Sequence, residues 1–162
     1  RKFPIGHFIR DPSDLSYTPE PDVFHDLYGH IPFLVDSDYA NFCQELGARS
    51  MQFKNDPHKM RQFERLFWFT IEFALINTQS GPRIFGAGIA SSIAECQYAL
   101  GDKPQVLPFD PEIIRNLEFK IDELQKKIFL IQDLNELYQC LPAFGQSVRA
   151  SAVYTDKNYQ AI

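Results

Sequence analysis

The sequence predicts a mainly α-helical domain, α+β only through a few short strands at its periphery. Three observations point there. Apolar residues recur at three-to-four spacing along several stretches, and helix-start signals stand at Asp22, Asp56-Pro57, Ser92 and Asp110-Pro111. Only Arg83–Gly88 and Leu124–Ile131 are convincing runs of strand formers. With 162 residues and no repeat, low-complexity tract or linker, the chain is expected to be a single domain over 1–162.

The elements follow in order. Residues 1–19 hold Pro4, Gly6, Pro12 and Pro19 and no helical period, so they are expected to be irregular, with a short extended piece at His7–Arg10. Asp22 caps a short helix that carries His25, and Gly29 with Pro32 stops it near His30. On an ideal helix residues five apart lie about 140° out of line, so His25 and His30 share a ligand only if the helix breaks at Gly29. A second helix starts at Ser37 or Asp38 and sets Tyr39, Phe42, Cys43, Leu46 and Met51 on one face. Pro57 opens a third, expected to run to about Asn77 and to be apolar all round in its second half, hence buried. Glu72 sits in the middle of that apolar half, where a carboxylate must be paired, protonated or bound to a metal. Then come a turn at Gln79–Gly81, the strand Arg83–Gly88 and a capping box Ser92–Glu95 opening a helix through Leu100. A loop over Gly101–Pro111, a short helix from Asp110, the strand Leu124–Ile131 and a last helix from Asp133 complete the chain.

Composition excludes some roles. A net charge of −5 with no basic face argues against nucleic-acid binding. No apolar run approaches the ~20 residues of a membrane span. Cys43, Cys96 and Cys140 are odd in number and lack metal spacing, as expected of reduced thiols in a cytoplasmic protein. An aromatic share of 14%, with 15 Phe against one Trp, suggests a core or pocket walled by rings. The chain opens on Arg1 rather than Met, which raises the expectation of further sequence upstream.

The chemistry-bearing residues are His25, His30 and Glu72. Two imidazoles and one carboxylate, with positions left open, suit iron(II) better than structural zinc, which takes four ligands. The residues alone leave another reading open, a metal-free helical domain in which Arg10 pairs with Glu72.

Four blocks in order carry a family resemblance. They are Phe8-Ile9-Arg10 with Tyr17-Thr18-Pro19-Glu20-Pro21-Asp22, then His25-Asp26-Leu27-Tyr28-Gly29-His30, then Phe67-Trp68-Phe69-Thr70-Ile71-Glu72-Phe73, then Gly86-Ala87-Gly88 with Ser91-Ser92. Together they resemble the pterin-dependent aromatic amino acid hydroxylases over nearly the whole chain, with the overall likeness towards bacterial phenylalanine hydroxylases. The resemblance implies His25, His30 and Glu72 as the iron(II) ligands and Arg10 as a clamp on the substrate carboxylate. It implies Thr18, Pro19, Trp68, Phe73, Gly88 and Ser91 around the amino acid, Ser91 also orienting His25. Asp26 and Phe67 would face the tetrahydropterin, and Asp22 would steady Arg10.

The implied activity is hydroxylation of an aromatic amino acid, phenylalanine to tyrosine, with dioxygen, in phenylalanine catabolism. The family's upstream segment, including an aromatic loop that stacks on the pterin, is not among these residues. A member that binds metal and amino acid without turnover is therefore the alternative. The long tetramer-forming C-terminal helix is not seen either, which implies a monomer.

Overall fold

The computed structural model describes residues 6–13 and 20–145. Its α-helices are α1 (Ile31–Leu34), α2 (Ser37–Met51), α3 (Pro57–Phe67), α4 (Ala87–Ala90), α5 (Ile93–Ala99), α6 (Pro111–Ile114) and α7 (Leu134–Cys140). The strands are β1 (Ala74–Ile76), β2 (Arg83–Ile84), β3 (Gln105–Pro108) and β4 (Lys127–Ile131). Two π-helical segments, His25–His30 and Trp68–Glu72, complete the parts that matter for function.

Side chains fix most helix starts as their types predict. Asp36 accepts the N–H groups of Asp38 and Tyr39 and so caps α2, which begins at Ser37 as expected. Asp56, Asp110 and Asp133 do the same for α3, α6 and α7, and Ser92 accepts the Glu95 N–H to open α5. The capping box is only half made. Both Glu95 carboxylate oxygens are buried, with no hydrogen-bond partner among the described residues.

Three expectations need correction. The third helix does not reach Asn77: its α-helical part ends at Phe67, a π-segment follows, and the apolar run after Phe73 becomes β1. A short, wholly apolar run fits a buried strand as well as a buried helix, and here pairing with two neighbouring strands decides. Residues 105–108 are strand rather than loop, held in parallel register on β4. Over 83–88 only Arg83–Ile84 is strand, and Ala87 already begins α4.

The sheet runs β2-β1-β4-β3, with β1 and β2 antiparallel and the other pairs parallel. It is small, yet Ile128, Phe129 and Ile131 of β4 are wholly buried, so the sheet forms one side of the core. Phe42, Leu66 and Phe69 pack on it from the helices, and a second cluster around Phe73, Leu75, Ile89 and Ile128 lies on its other side. Trp68 touches both clusters.

Candidate metal centre and amino acid cleft

The helix that carries the two imidazoles does not break at Gly29. It passes through the π-segment His25–His30 and continues as α1. Closing the backbone i→i+5 rather than i→i+4 makes residues five apart stack one turn above another. That brings the two Nε2 atoms to 3.0 Å. Gly29 serves close packing instead: a Cβ there would sit 2.7 Å from the Ala87 carbonyl oxygen. The contact seats α4 on the histidine helix and delivers Ser91 to His25.

Glu72 arrives the same way. The Phe73 N–H donates to the Trp68 carbonyl at 2.9 Å, an i→i+5 bond closing the π-segment Trp68–Glu72. Gly86 admits the backbone here, since a Cβ on it would lie 2.1 Å from the Glu72 carbonyl oxygen. The Glu72 carboxylate comes to 3.2 Å from His30 Nε2 and 3.7 Å from His25 Nε2. Three donors bound to one ion at about 2.0–2.2 Å on one face of an octahedron stand ~3 Å apart. The donor set and its spacing therefore fit a divalent iron with its other face open.

Asp26 is the competing acid, its ligand atom lying within 4.8 Å of those of both histidines. Glu72 is nearer, and the Gly6 N–H already donates to Asp26 Oδ2 at 2.6 Å.

Ser91 sets the protonation of the first imidazole. Its hydroxyl reaches the Ala87 carbonyl at 2.9 Å, and its oxygen lies 2.9 Å from His25 Nδ1. With its one proton given to Ala87, the hydroxyl accepts from Nδ1–H, which leaves Nε2 unprotonated for a metal. Burial pushes the His25 pKa below its usual value, which also favours the neutral ring.

Arg10 does not pair with Glu72, so the metal-free reading loses its salt bridge. Its Nε and Nη2 donate to the two Asp22 oxygens at 2.9 and 2.7 Å, and Nη1 donates to the Ser91 carbonyl at 2.8 Å. A guanidinium has five N–H groups. Among the described residues three are engaged, leaving one on each terminal nitrogen, a fork shaped for a carboxylate. Asp22 also accepts the His25 N–H at 2.9 Å, so a single acid holds both the guanidinium and the start of the histidine helix.

A cleft of ≈ 220 Å³ opens beside these groups. Arg10, His25, Phe67, Trp68, Glu72, Phe73, Gly88 and Ser91 all line it. His30 and Asp26 lie behind its surface, both buried. Thr18 and Pro19 fall outside the described residues. Sequence reasoning did not assign Ser92 or Ile121 to the lining. Ile121 had no signal, because an isolated apolar residue in a charged loop looks like any surface residue. Trp68 and Phe73 meet at 4.6 Å with their planes tilted by 41°, forming an aromatic wall.

Comparison with known proteins supports the same reading. The profile of the biopterin-dependent aromatic amino acid hydroxylases matches residues 1–161. Phenylalanine-4-hydroxylase of Caulobacter vibrioides is 41% identical over 161 residues, which is 96% of this chain and 53% of that protein. The Chromobacterium violaceum enzyme is 40% identical over 139 residues, covering 85% of this chain and 46% of its own. A crystal structure of the Chromobacterium enzyme with bound iron(III) and 7,8-dihydrobiopterin superposes with a TM-score of 0.80 at 39% identity, over 87% of this chain and 52% of that one. Another, with iron and phenylalanine bound, gives 0.77 at 38% identity, over 85% and 49%. The chain spans about half the length of these relatives. With its histidine pair, its carboxylate and its arginine fork arranged as they are, the chain belongs to the family of biopterin-dependent aromatic amino acid hydroxylases.

Proposed function

We propose that the chain carries the iron and amino acid site of a monooxygenase that converts phenylalanine to tyrosine with iron(II), tetrahydropterin and dioxygen. The observation that carries this is the convergence of His25, His30 and Glu72 beside a cleft that offers both a guanidinium fork and an aromatic wall. Bound iron would supply dioxygen activation with electrons from the pterin.

The residues do the rest by position. Arg10 takes the amino acid carboxylate on its two remaining N–H groups, and Trp68 with Phe73 holds the ring. Ser91 keeps the His25 tautomer fit for ligation. Gly88 leaves the space that a Cβ would take, 2.6 Å from Phe73 Cζ. Phe67, half exposed at the cleft, and Asp26, buried beside His25 and bonded to the Gly6 N–H, are the residues proposed to face the pterin. Phenylalanine catabolism in the cytoplasm, as a monomer, is the setting proposed; the free Cys43, Cys96 and Cys140 accord with a reducing compartment.

The test is turnover. The iron-loaded chain, given phenylalanine, tetrahydrobiopterin and oxygen, should form tyrosine, and Glu72→Gln should lose iron and activity while keeping its circular dichroism spectrum. Iron and phenylalanine bound with no tyrosine formed would instead support the binding-only alternative. Unchanged iron content in Glu72→Gln would remove the assignment of the centre.

A further inference from the structure

Gln125 lies outside every set of residues named above, yet it is buried, 6% exposed, and both its amide N–H groups and its oxygen are engaged. The Trp68 indole N–H donates to Gln125 Oε1 at 3.1 Å. The amide NH₂ donates to the Lys120 and Glu123 carbonyls, both at 2.9 Å. An indole nitrogen can only donate and carbonyls can only accept, so one orientation of the amide satisfies all three partners and the flipped one satisfies none.

The two carbonyls bracket Ile121, an apolar side chain 57% exposed that nonetheless lines the cleft. On the near side of the same loop Phe119 stacks on Trp68 at 4.5 Å and 15°. Arg61 in turn covers Phe119, 4.5 Å from its ring centre. The tryptophan is thus braced on its face by Phe119 and tied at its nitrogen to Gln125, with Phe73 tilted against it. Among the described residues, no other hydrogen bond joins the side chain of a cleft residue to loop 119–124.

We propose that Gln125 is a positioning residue for the aromatic amino acid: one buried amide locks loop 119–124 to Trp68, so that Ile121 and the indole close on the substrate ring as a single rigid wall. The proposal rests on the hydroxylase reading of the cleft. Gln125 itself touches neither substrate nor metal ligand in this arrangement, and it acts through the two elements it joins.

Trp68 is the only tryptophan in the chain, so intrinsic fluorescence reports from the wall itself and reads binding without turnover. L-Phenylalanine would be titrated into the iron-loaded full chain, in the wild type, Gln125→Leu and Gln125→Glu. The leucine removes all three bonds at similar bulk. The glutamate keeps an acceptor for the indole but turns its other oxygen towards two carbonyls.

Both variants are expected to bind phenylalanine about tenfold more weakly, which corresponds to ~1.4 kcal/mol. KM for phenylalanine should rise in parallel, while iron content, pterin KM and kcat stay close to wild type. Phenylalanine affinity within twofold of wild type in either folded variant would overturn the proposal. So would a fall in iron content and kcat with KM unchanged, because that is the pattern of general structural damage. Should Gln125→Leu melt too early to assay, Gln125→Glu decides. A wild type that neither binds phenylalanine nor forms tyrosine would show instead that the hydroxylase reading had failed, and this proposal with it.

Discussion

Replacing Asp22 by Asn tests how the Arg10 guanidinium and the histidine helix are joined. Asp22 is fully buried and accepts four hydrogen bonds, two on each oxygen. Oδ2 takes the Arg10 backbone N–H at 2.8 Å and Arg10 Nε at 2.9 Å; Oδ1 takes Arg10 Nη2 at 2.7 Å and the His25 N–H at 2.9 Å. Whichever way the asparagine amide is turned, its NH₂ faces two donors. The substitution therefore strips the guanidinium of its counter-charge and leaves two donors opposed. Removing one partner of a buried ion pair costs about 3–5 kcal/mol, a large share of the roughly 5–15 kcal/mol that holds a domain together. Urea denaturation at neutral pH would measure it.

The pH dependence follows from the sign of the shift. Hydrogen bonding to Arg10, opposed by burial, holds the Asp22 carboxyl well below its usual range. Its contribution is then fully present above the unfolded value of roughly 3.9 and lost as pH falls towards the depressed folded value. The gap between wild type and Asp22→Asn should accordingly narrow in strong acid. A loss under ~1 kcal/mol at neutral pH, or a gap that widens in acid, would refute this account of the pair.

Three further outcomes are expected. Ser91→Ala removes the partner of His25 Nδ1 and should weaken iron binding about 10–100-fold with little change in melting temperature, read by iron titration. Gly88→Ala drives a methyl into Phe73, and an overpacking strain of about 1–3 kcal/mol should appear as a raised phenylalanine KM at unchanged iron content. Glu95, 1% exposed, is pushed up to about 7 by burial. Its folded state favours the neutral acid, so its contribution is present below the unfolded value of roughly 4.3 and lost as pH rises through about 7. Glu95→Gln should therefore gain up to ~3 kcal/mol over wild type in mild alkali and little in mild acid, by denaturation at the two pH values; equal gains at both would sink the reasoning.

The residue types that make the site were legible before any coordinates. Glu72 stood out because a carboxylate amid Phe67, Trp68, Phe69 and Phe73 needs a compensating charge, and the ordered blocks around His25 and Gly88 told which kind. Helix starts were legible for a local reason: Asp56, Ser92 and Asp110 bond N–H groups two or three residues ahead, so a short window of sequence holds the whole interaction. Gln125 and Ile121 were not legible. Their roles depend on partners such as Trp68, 57 residues away along the chain from Gln125, and a glutamine in a charged loop carries no mark of burial.

The sequence by itself determined the inventory: two imidazoles, an acid, a guanidinium, the aromatic wall, and the caps that start the helices around them. Only the tertiary structure decided how His25 and His30 meet. Their spacing suggested a broken helix, and the chain instead widens its turn by one residue twice, at His25–His30 and at Trp68–Glu72. Both segments lie against α4, where Gly29 admits Ala87 and Gly88 admits Phe73. A π-turn satisfies its backbone as an α-turn does, so local sequence does not choose between them; the packing of α4 against both segments does.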